Sequence, residues 1–120
     1  MGGRVTDISF SDLNIAILLP CYNEGKSIAA VVLGFRKALP GARIYVYDNN
    51  SSDDTSRQAI FAGATVVPSR RQGKGNVVRQ MFADIDADIY LMADGDGTYD
   101  PTAAPKMIQT LLDDRADMVV

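Results

Sequence analysis

Two carboxylates separated by one glycine, Asp94-Gly95-Asp96, have the spacing in this chain that points most directly to chemistry. In extended backbone, residues i and i+2 point to the same side, so both side chains could bind one divalent cation. Carboxylate oxygens suit Mg²⁺ or Mn²⁺ and leave coordination positions for phosphate oxygens. A metal held there would neutralise a diphosphate and stabilise it as a leaving group. The alternative is a solvated turn, because Asp and Gly are common turn residues.

Two more carboxylates follow apolar runs earlier in the chain and could bind an organic ligand. Asp48 ends the second run, where it could accept hydrogen bonds from a nucleobase or a ribose; the alternative is turn formation and helix capping. We favour ligand contact for Asp48 and expect the structural role for Ser51, Ser52 and Asp53. Glu24 follows the first run and could contact a nucleotide, favour the positive end of the next helix, or do both.

A local positive patch follows the third apolar run and is formed by Arg70, Arg71, Lys74 and Arg79. This patch could bind phosphates or a sugar. The alternative is a solvated loop, which we favour for Arg70 and Arg79. Lys74 lies between two glycines, but the first glycine of a Walker A loop is absent and no Ser or Thr follows. The segment is therefore not a P-loop.

The composition of the 120-residue chain excludes several other kinds of site. It has 12 basic and 15 acidic side chains, a formal net charge of −3 and no histidine. This balance argues against duplex nucleic-acid binding, which needs a surplus of Lys and Arg. The single cysteine, Cys21, excludes an internal disulfide, and the usual zinc ligands and Ser-His or Cys-His pairs cannot be assembled. We expect Cys21 to be a small packed residue.

Short apolar runs alternate with helical patterns along the chain. Within Ser27–Leu39, for example, the apolar residues recur at helical spacing, and Pro40-Gly41 stops the helix. Ser52 is expected to cap the second helix and Gly63 to end it. The strands predicted in this way are Ile15–Leu19 (ended by Pro20), Ile44–Tyr47, Ala64–Val67 and Asp88–Ala93, and the further helices are Ser52–Ala62, Asn76–Ile85 and one opened by Pro101.

This alternation predicts an α/β fold with a mostly parallel, Rossmann-like sheet flanked by helices. Ligands in such sheets bind at the carboxyl ends of the strands, where all four polar segments would meet. Asp117–Val120 begins what looks like a fifth strand, so we expect the N-terminal part of a longer protein. The longest apolar stretch, Ile28–Phe35, is far too short to cross a bilayer. A cytoplasmic location is expected, with membrane association of the longer protein left open.

Four motifs in order resemble the N-terminal half of glycosyltransferase family 2, the inverting enzymes of GT-A fold. The resemblance runs from about Ile15 to Val120 and is nearest in style to polyprenyl-phosphate sugar transferases. It divides the chain into an N-terminal extension, residues 1–14, and a nucleotide-sugar-binding part, residues 15–120. The motifs are Pro20-Cys21-Tyr22-Asn23-Glu24, Tyr47-Asp48-Asn49-Asn50-Ser51-Ser52-Asp53-Asp54-Thr55, Arg71-Gln72-Gly73-Lys74-Gly75-Asn76 and Asp94-Gly95-Asp96-Gly97.

The resemblance implies a UDP- or GDP-linked sugar donor, Mg²⁺ or Mn²⁺, and an acceptor such as a polyprenyl phosphate or a saccharide. It places Asp94 and Asp96 on the metal. The residues it places on the nucleotide-sugar are Pro20, Tyr22, Glu24, Asp48, Asn50, Lys74 and Asp94. Asn49 departs from the family, because many members carry a second Asp there. The catalytic base and the acceptor-binding half are expected beyond residue 120.

Two other classes of protein fit parts of this pattern. A sugar-nucleotide pyrophosphorylase has a related fold, but it should open with a glycine-rich basic loop, and Cys21–Gly25 is neither. A phospho-acceptor receiver module has a similar size, but it needs an acidic pair after the first strand and a lysine after the fifth. The first strand is followed here by Cys-Tyr-Asn-Glu.

Overall fold

The computed structural model describes residues 13–69 and 74–114. Four strands alternate with four helices in these residues, as the sequence predicts. The strands are β1 (Ile15–Cys21), β2 (Arg43–Asp48), β3 (Thr65–Pro68) and β4 (Ile89–Met92). The helices are α1 (Ile28–Ala38), α2 (Thr55–Ala62), α3 (Lys74–Asp84) and α4 (Ala104–Asp114), the last preceded by a 3₁₀ turn, Pro101–Ala103. The expected strand at Asp117–Val120, Arg70, Arg71 and residues 1–12 lie outside the described residues.

The four strands form one sheet in the order β3-β2-β1-β4, and every neighbouring pair is parallel. The chain therefore runs outward from β1 through β2 to β3 and then crosses to the other side of β1. This reversal places a topological switch point between β1 and β4, and ligands in open α/β sheets bind outside the carboxyl ends of the strands at such a point. The predicted parallel α/β sheet is confirmed.

Both faces of the sheet are covered, which explains why the strands are apolar at consecutive positions. Ile15, Ile17 and Leu19 of β1 pack on the face that carries α1, α2 and α4. Ala16 and Leu18 face the opposite way and pack with residues of α3, among them Val77 and Met81. Burying an aliphatic side chain of this size contributes roughly 1.5–3 kcal/mol, so this core holds the strand ends in place.

Pro20 does not end β1, contrary to the sequence-based prediction, because the strand continues through Cys21. The Cys21 carbonyl accepts a hydrogen bond from Asn49 N–H at 2.8 Å, so the polar groups of Cys21 face β2. Since these directions alternate along a parallel strand, Pro20 faces the β4 side. The last β4 residue, Met92, pairs with Leu18. No strand therefore needs an N–H from Pro20, and proline is tolerated at this position.

Two helix starts also differ from the sequence-based prediction. Ser52 does not cap α2: the helix begins at Thr55, and the N–H of Thr55 donates to Asp53 Oδ1 at 3.0 Å. Helix α3 begins at Lys74 rather than at Asn76, so the glycine between them is helical. Gly63 does end α2, with φ of 104° in the left-handed region, as predicted. In the described part of the chain, no helix combines the length and apolar composition needed to span a bilayer.

Candidate functional site

An open pocket of about 240 Å³ lies at the carboxyl ends of β1, β2 and β4, beside the switch point. It combines apolar side chains with two carboxylates and one amide, as expected of a site for a polar organic ligand. Four of the residues predicted to bind a ligand meet there: Pro20, Tyr22, Glu24 and Asp94. The remaining lining residues are Cys21, Asn49 and Val77.

Asp94 and Asp96 lie on the loop that follows β4, and both are exposed. Asp94 lines the pocket, whereas Asp96 does not. The Asp96 Oδ1 atom accepts hydrogen bonds from Thr98 N–H at 3.0 Å and from Thr98 Oγ1 at 2.8 Å, which orients the carboxylate within a tight turn. Within residues 13–69 and 74–114, no group of three or more His, Cys, Asp or Glu is arranged to hold a metal ion.

Glu24 brings a further carboxylate to the same edge of the sheet. Partial burial raises its pKa above the usual range, and the negative charges that raise it further belong to Asp96, Asp94 and Asp53. The main chain of Glu24 also shapes the turn, because its carbonyl accepts hydrogen bonds from the N–H groups of Ser27 and Ile28. Among the described residues, several carboxylates thus lie close enough to act on one another, which favours a cation between these side chains and an anionic ligand.

Gly95 is required by its close packing against the rest of the protein. An added Cβ would overlap Cys21 Sγ and would lie 3.1 Å from Ile28 Cδ1. The Gly95 carbonyl accepts a hydrogen bond from Ser27 Oγ at 2.6 Å. This contact and this hydrogen bond fix the Asp94–Asp96 loop against the end of β1 and the start of α1.

Cys21 is a packed residue, as expected, and not a nucleophile. Its side chain is buried, and its Sγ contacts the Leu19 carbonyl at 3.5 Å. Burial raises the pKa of the thiol from 9.0 to about 12, and nearby carboxylates, first of them Glu24, raise it in the same direction. The thiol therefore stays protonated at neutral pH.

Asp48 has a structural role that the sequence offered as the alternative to ligand binding. Its Oδ1 accepts the N–H of Ser51 at 2.9 Å, and its Oδ2 accepts the hydroxyl of Ser56. These bonds hold the turn after β2 and the first turn of α2. Asp48 and Asn50 do not line the pocket, so their contact with a nucleotide stays a prediction. Lys74 begins α3 after β3, and the contact expected of its side chain lies outside the described structure.

Sequence reasoning missed two pocket residues and the contacts between two loops. Asn49 had been noted only as a departure from the family, and Val77 lies within the predicted helix Asn76–Ile85 but had no role at the site. Asn23 and Thr55 had no assigned role, although both form hydrogen bonds between the loops after β1 and β2. The positive φ of 53° at Asn23 was not expected either, although Asn adopts this conformation more readily than most residues.

Comparisons with known proteins agree with this architecture. The chain is similar to protein RfbJ of Shigella flexneri, with 56% identity over 92% of this chain and 86% of RfbJ. It is 44% identical to glycosyltransferase AglJ of Haloferax volcanii over 81% of this chain, but it covers only 32% of AglJ.

A solved structure also has the same fold: glucosyl-3-phosphoglycerate synthase from Mycobacterium tuberculosis in complex with Mn²⁺, UDP and glucosyl-3-phosphoglycerate. The TM-score is 0.77 and the identity 26%, over 93% of this chain and 45% of the synthase chain. The same enzyme has also been solved with Mg²⁺ and UDP.

The model of the family described as "Glycosyl transferase family 2" matches residues 16–120, nearly the whole chain. This match agrees with the order of the four motifs, and it decides against a pyrophosphorylase and against a receiver module. The chain spans less than half the length of AglJ and of the synthase, so it corresponds to part of those longer enzymes. The chain belongs to glycosyl transferase family 2.

Proposed function

We propose that this chain binds the donor of an inverting glycosyl transfer, a UDP- or GDP-linked sugar, together with Mg²⁺ or Mn²⁺. The observation that carries the proposal is the pocket at the switch point, where Asp94 lies beside Tyr22 and Glu24. A synthase of the same fold, cited above, has been solved with Mn²⁺ and UDP-glucose. The acceptor is proposed to be a polyprenyl phosphate or a saccharide.

The residues present fit a divalent cation that is shared with the substrate. Mg²⁺ is commonly held by one or two carboxylates, with phosphate oxygens and water completing the coordination. Asp94 and Asp96 supply two carboxylates on one short loop, and a larger protein cage is not needed. We therefore assign the metal to this pair. When bound, the ion would neutralise the diphosphate and make it a better leaving group.

The other side chains in and around the pocket would each contact a different part of the donor. Pro20 and Tyr22 present apolar surface to the base or ribose, and Tyr22 is 58% exposed, so it is accessible to a ligand. Asn49 offers amide donors and acceptors for a polar edge. Asp48 and Asn50 lie on either side of Asn49 in the turn after β2, and they would contact the nucleotide at the rim of the pocket. Lys74 is proposed to contact donor phosphate from the start of α3.

The proposed chemistry is a direct displacement at the anomeric carbon. A base removes the acceptor proton, and the acceptor oxygen bonds to the anomeric carbon. The bond between that carbon and the diphosphate oxygen breaks, and its electron pair leaves with the diphosphate. We propose that the base and the acceptor-binding part follow residue 120, consistent with the greater length of AglJ. The 120-residue chain is expected to bind donor and to transfer little or no sugar.

Asp94→Asn tests this function by removing one charge with almost no change in size. We expect the wild-type chain to bind UDP or GDP, or their sugar conjugates, more tightly with Mn²⁺ than without it, as measured by calorimetric titration. In Asp94→Asn the Mn²⁺-dependent gain should fall by at least about tenfold, because one metal ligand is lost.

Asp113→Asn is the matched control. Asp113 is exposed on α4, where its Oδ1 accepts a hydrogen bond from Gln109 Nε2 at 3.0 Å, and its neutralisation changes the net charge equally. It should leave nucleotide binding unchanged. The proposal is wrong if the folded wild-type chain binds no nucleotide with Mn²⁺, or if Asp94→Asn retains the full Mn²⁺ effect.

A further inference from the structure

We propose that Thr55 and Asn23 are positioning residues for donor binding, acting through hydrogen bonds that join the loops after β1 and β2. Neither residue lines the pocket. Both hold the loop that carries Tyr22 and Glu24, which do line it. This inference rests on the proposed function, because it names residues that set donor affinity at the same site.

Thr55 is the buried connection between the two loops. Its side chain is fully buried, and its Oγ1 accepts the N–H of Glu24 at 2.9 Å. The same hydroxyl donates to Asp53 Oδ1. Asp53 Oδ2 in turn accepts the N–H of Gly25 at 3.0 Å. The Thr55 hydroxyl therefore holds the main chain at Glu24 and orients the Asp53 carboxylate, which in turn holds the main chain at Gly25.

Asn23 forms the exposed connection between the same loops. Its Oδ1 accepts the N–H of Ser52 at 2.8 Å and the hydroxyl of Ser52 at 3.3 Å. The N–H of Asn23 donates to Ser51 Oγ at 2.8 Å. Its φ of 53° is a conformation that costs energy for most residues, and the bonds to the second loop hold it there.

The Asp94–Asp96 loop, to which we assign the metal, is fixed to the loop after β1. Ser27 Oγ donates to the Gly95 carbonyl at 2.6 Å, and the N–H of Ser27 donates to the Glu24 carbonyl at 3.0 Å. The loop after β1 is thus hydrogen-bonded both to the loop after β2 and to the loop after β4. A pocket held in its binding geometry before the ligand arrives loses less conformational entropy on binding, so affinity should depend on these bonds.

The test compares Thr55→Val with Thr55→Ser, using UDP and Mn²⁺ as the probe. Valine keeps the shape of threonine and removes the hydroxyl, whereas serine keeps the hydroxyl. We expect Thr55→Val to raise the Kd for UDP with Mn²⁺ by about tenfold or more, and Thr55→Ser to stay near the wild-type value. Amide hydrogen exchange should show faster exchange at Glu24 in Thr55→Val only.

Two further variants separate positioning from stability. Ile44→Val removes one buried methylene-sized group at the opposite end of β2, so it should lower the Tm without changing the Kd. Asn23→Gly keeps a residue that tolerates positive φ and removes the side-chain acceptor, so it tests the second connection without threatening the buried core. We expect it to weaken UDP binding as well.

The outcomes are distinguishable. If the wild-type chain binds UDP with Mn²⁺ and both Thr55→Val and Asn23→Gly bind equally well, the positioning role is overturned and the proposed function stands. If affinity follows Tm in every variant, including Ile44→Val, the role is structural and the inference is again overturned. If the wild-type chain binds no nucleoside diphosphate under any condition, the proposed function fails and the positioning role fails with it.

Discussion

Gly95→Ala should weaken Mn²⁺-dependent nucleotide binding by about ten- to a hundredfold, the size of effect expected when the groups that orient metal ligands are disturbed. The added Cβ would overlap Cys21 Sγ, and Cys21 is held in β1 by its pairing with β2. The loop, rather than the strand, should therefore move. Movement would break the hydrogen bond from Ser27 Oγ to the Gly95 carbonyl and shift both neighbouring carboxylates. Overpacking of this kind should also lower stability by about 1–3 kcal/mol.

The measurements are thermal unfolding and calorimetric titration with UDP and Mn²⁺. Gly41→Ala is the control, because an added Cβ there meets nothing within 4 Å. It should leave both readouts near wild type. The double variant Cys21→Ala with Gly95→Ala removes the overlapping sulfur and should recover part of the lost stability, which a double-mutant cycle reports as coupling. Independent, additive effects would show that the contact with Cys21 does not explain the need for glycine.

Cys21 in the folded chain should react with iodoacetamide at pH 8 about a thousandfold more slowly than in the urea-unfolded chain. The thiolate is the reactive form, and a pKa of about 12 instead of 9.0 lowers its fraction at pH 8 by about that factor. Burial of the side chain slows the reaction further. The rate can be followed by mass spectrometry of the intact chain. Equal rates in the folded and unfolded chains would show that the thiol is accessible.

The same pKa shift predicts how stability depends on pH. Below pH 9 the thiol is protonated in both states, so its contribution to the free energy of unfolding is fully present. Between pH 9 and about 12 the unfolded thiol ionises while the folded thiol does not, so this contribution is lost as the pH rises. Cys21→Ala should lose less stability than wild type across this range, measured by urea unfolding. Parallel pH curves for the two chains would contradict the shift.

The order of elements could be predicted from the sequence because each element carries its own local signal. The helical spacing in α1 and the left-handed stop at Gly63 are local properties of the chain, and both predictions are confirmed. Helix and strand ends were less predictable. Pro20 is tolerated because β4 has already ended on that side, which is a fact about a neighbouring strand. Thr55 begins α2 because Asp53 accepts its N–H, although Ser52 is an equally good capping residue by type.

The candidate site was predictable in outline and not in detail. Polar residues after parallel strands must meet at one edge, so Glu24 and Asp94 were expected together, and the pocket contains both. Whether Asp48 holds a turn or binds a ligand depended on which hydrogen-bond donors lie near its two carboxylate oxygens. These donors are the N–H of Ser51 and the hydroxyl of Ser56. Residue type alone cannot distinguish a carboxylate that binds a ligand from one that holds a turn, because both accept the same hydrogen bonds.

The sequence by itself determined the α/β class, the family and the edge of the sheet at which ligands should bind, because periodicity and motif order are properties of the chain. Only the tertiary structure decided how the loops at that edge hold one another. Asn23 with Ser52, Glu24 with Thr55 and Ser27 with Gly95 are pairs separated by 29, 31 and 68 positions. Contacts between such distant residues depend on the packing of whole strands and helices, which no local pattern records.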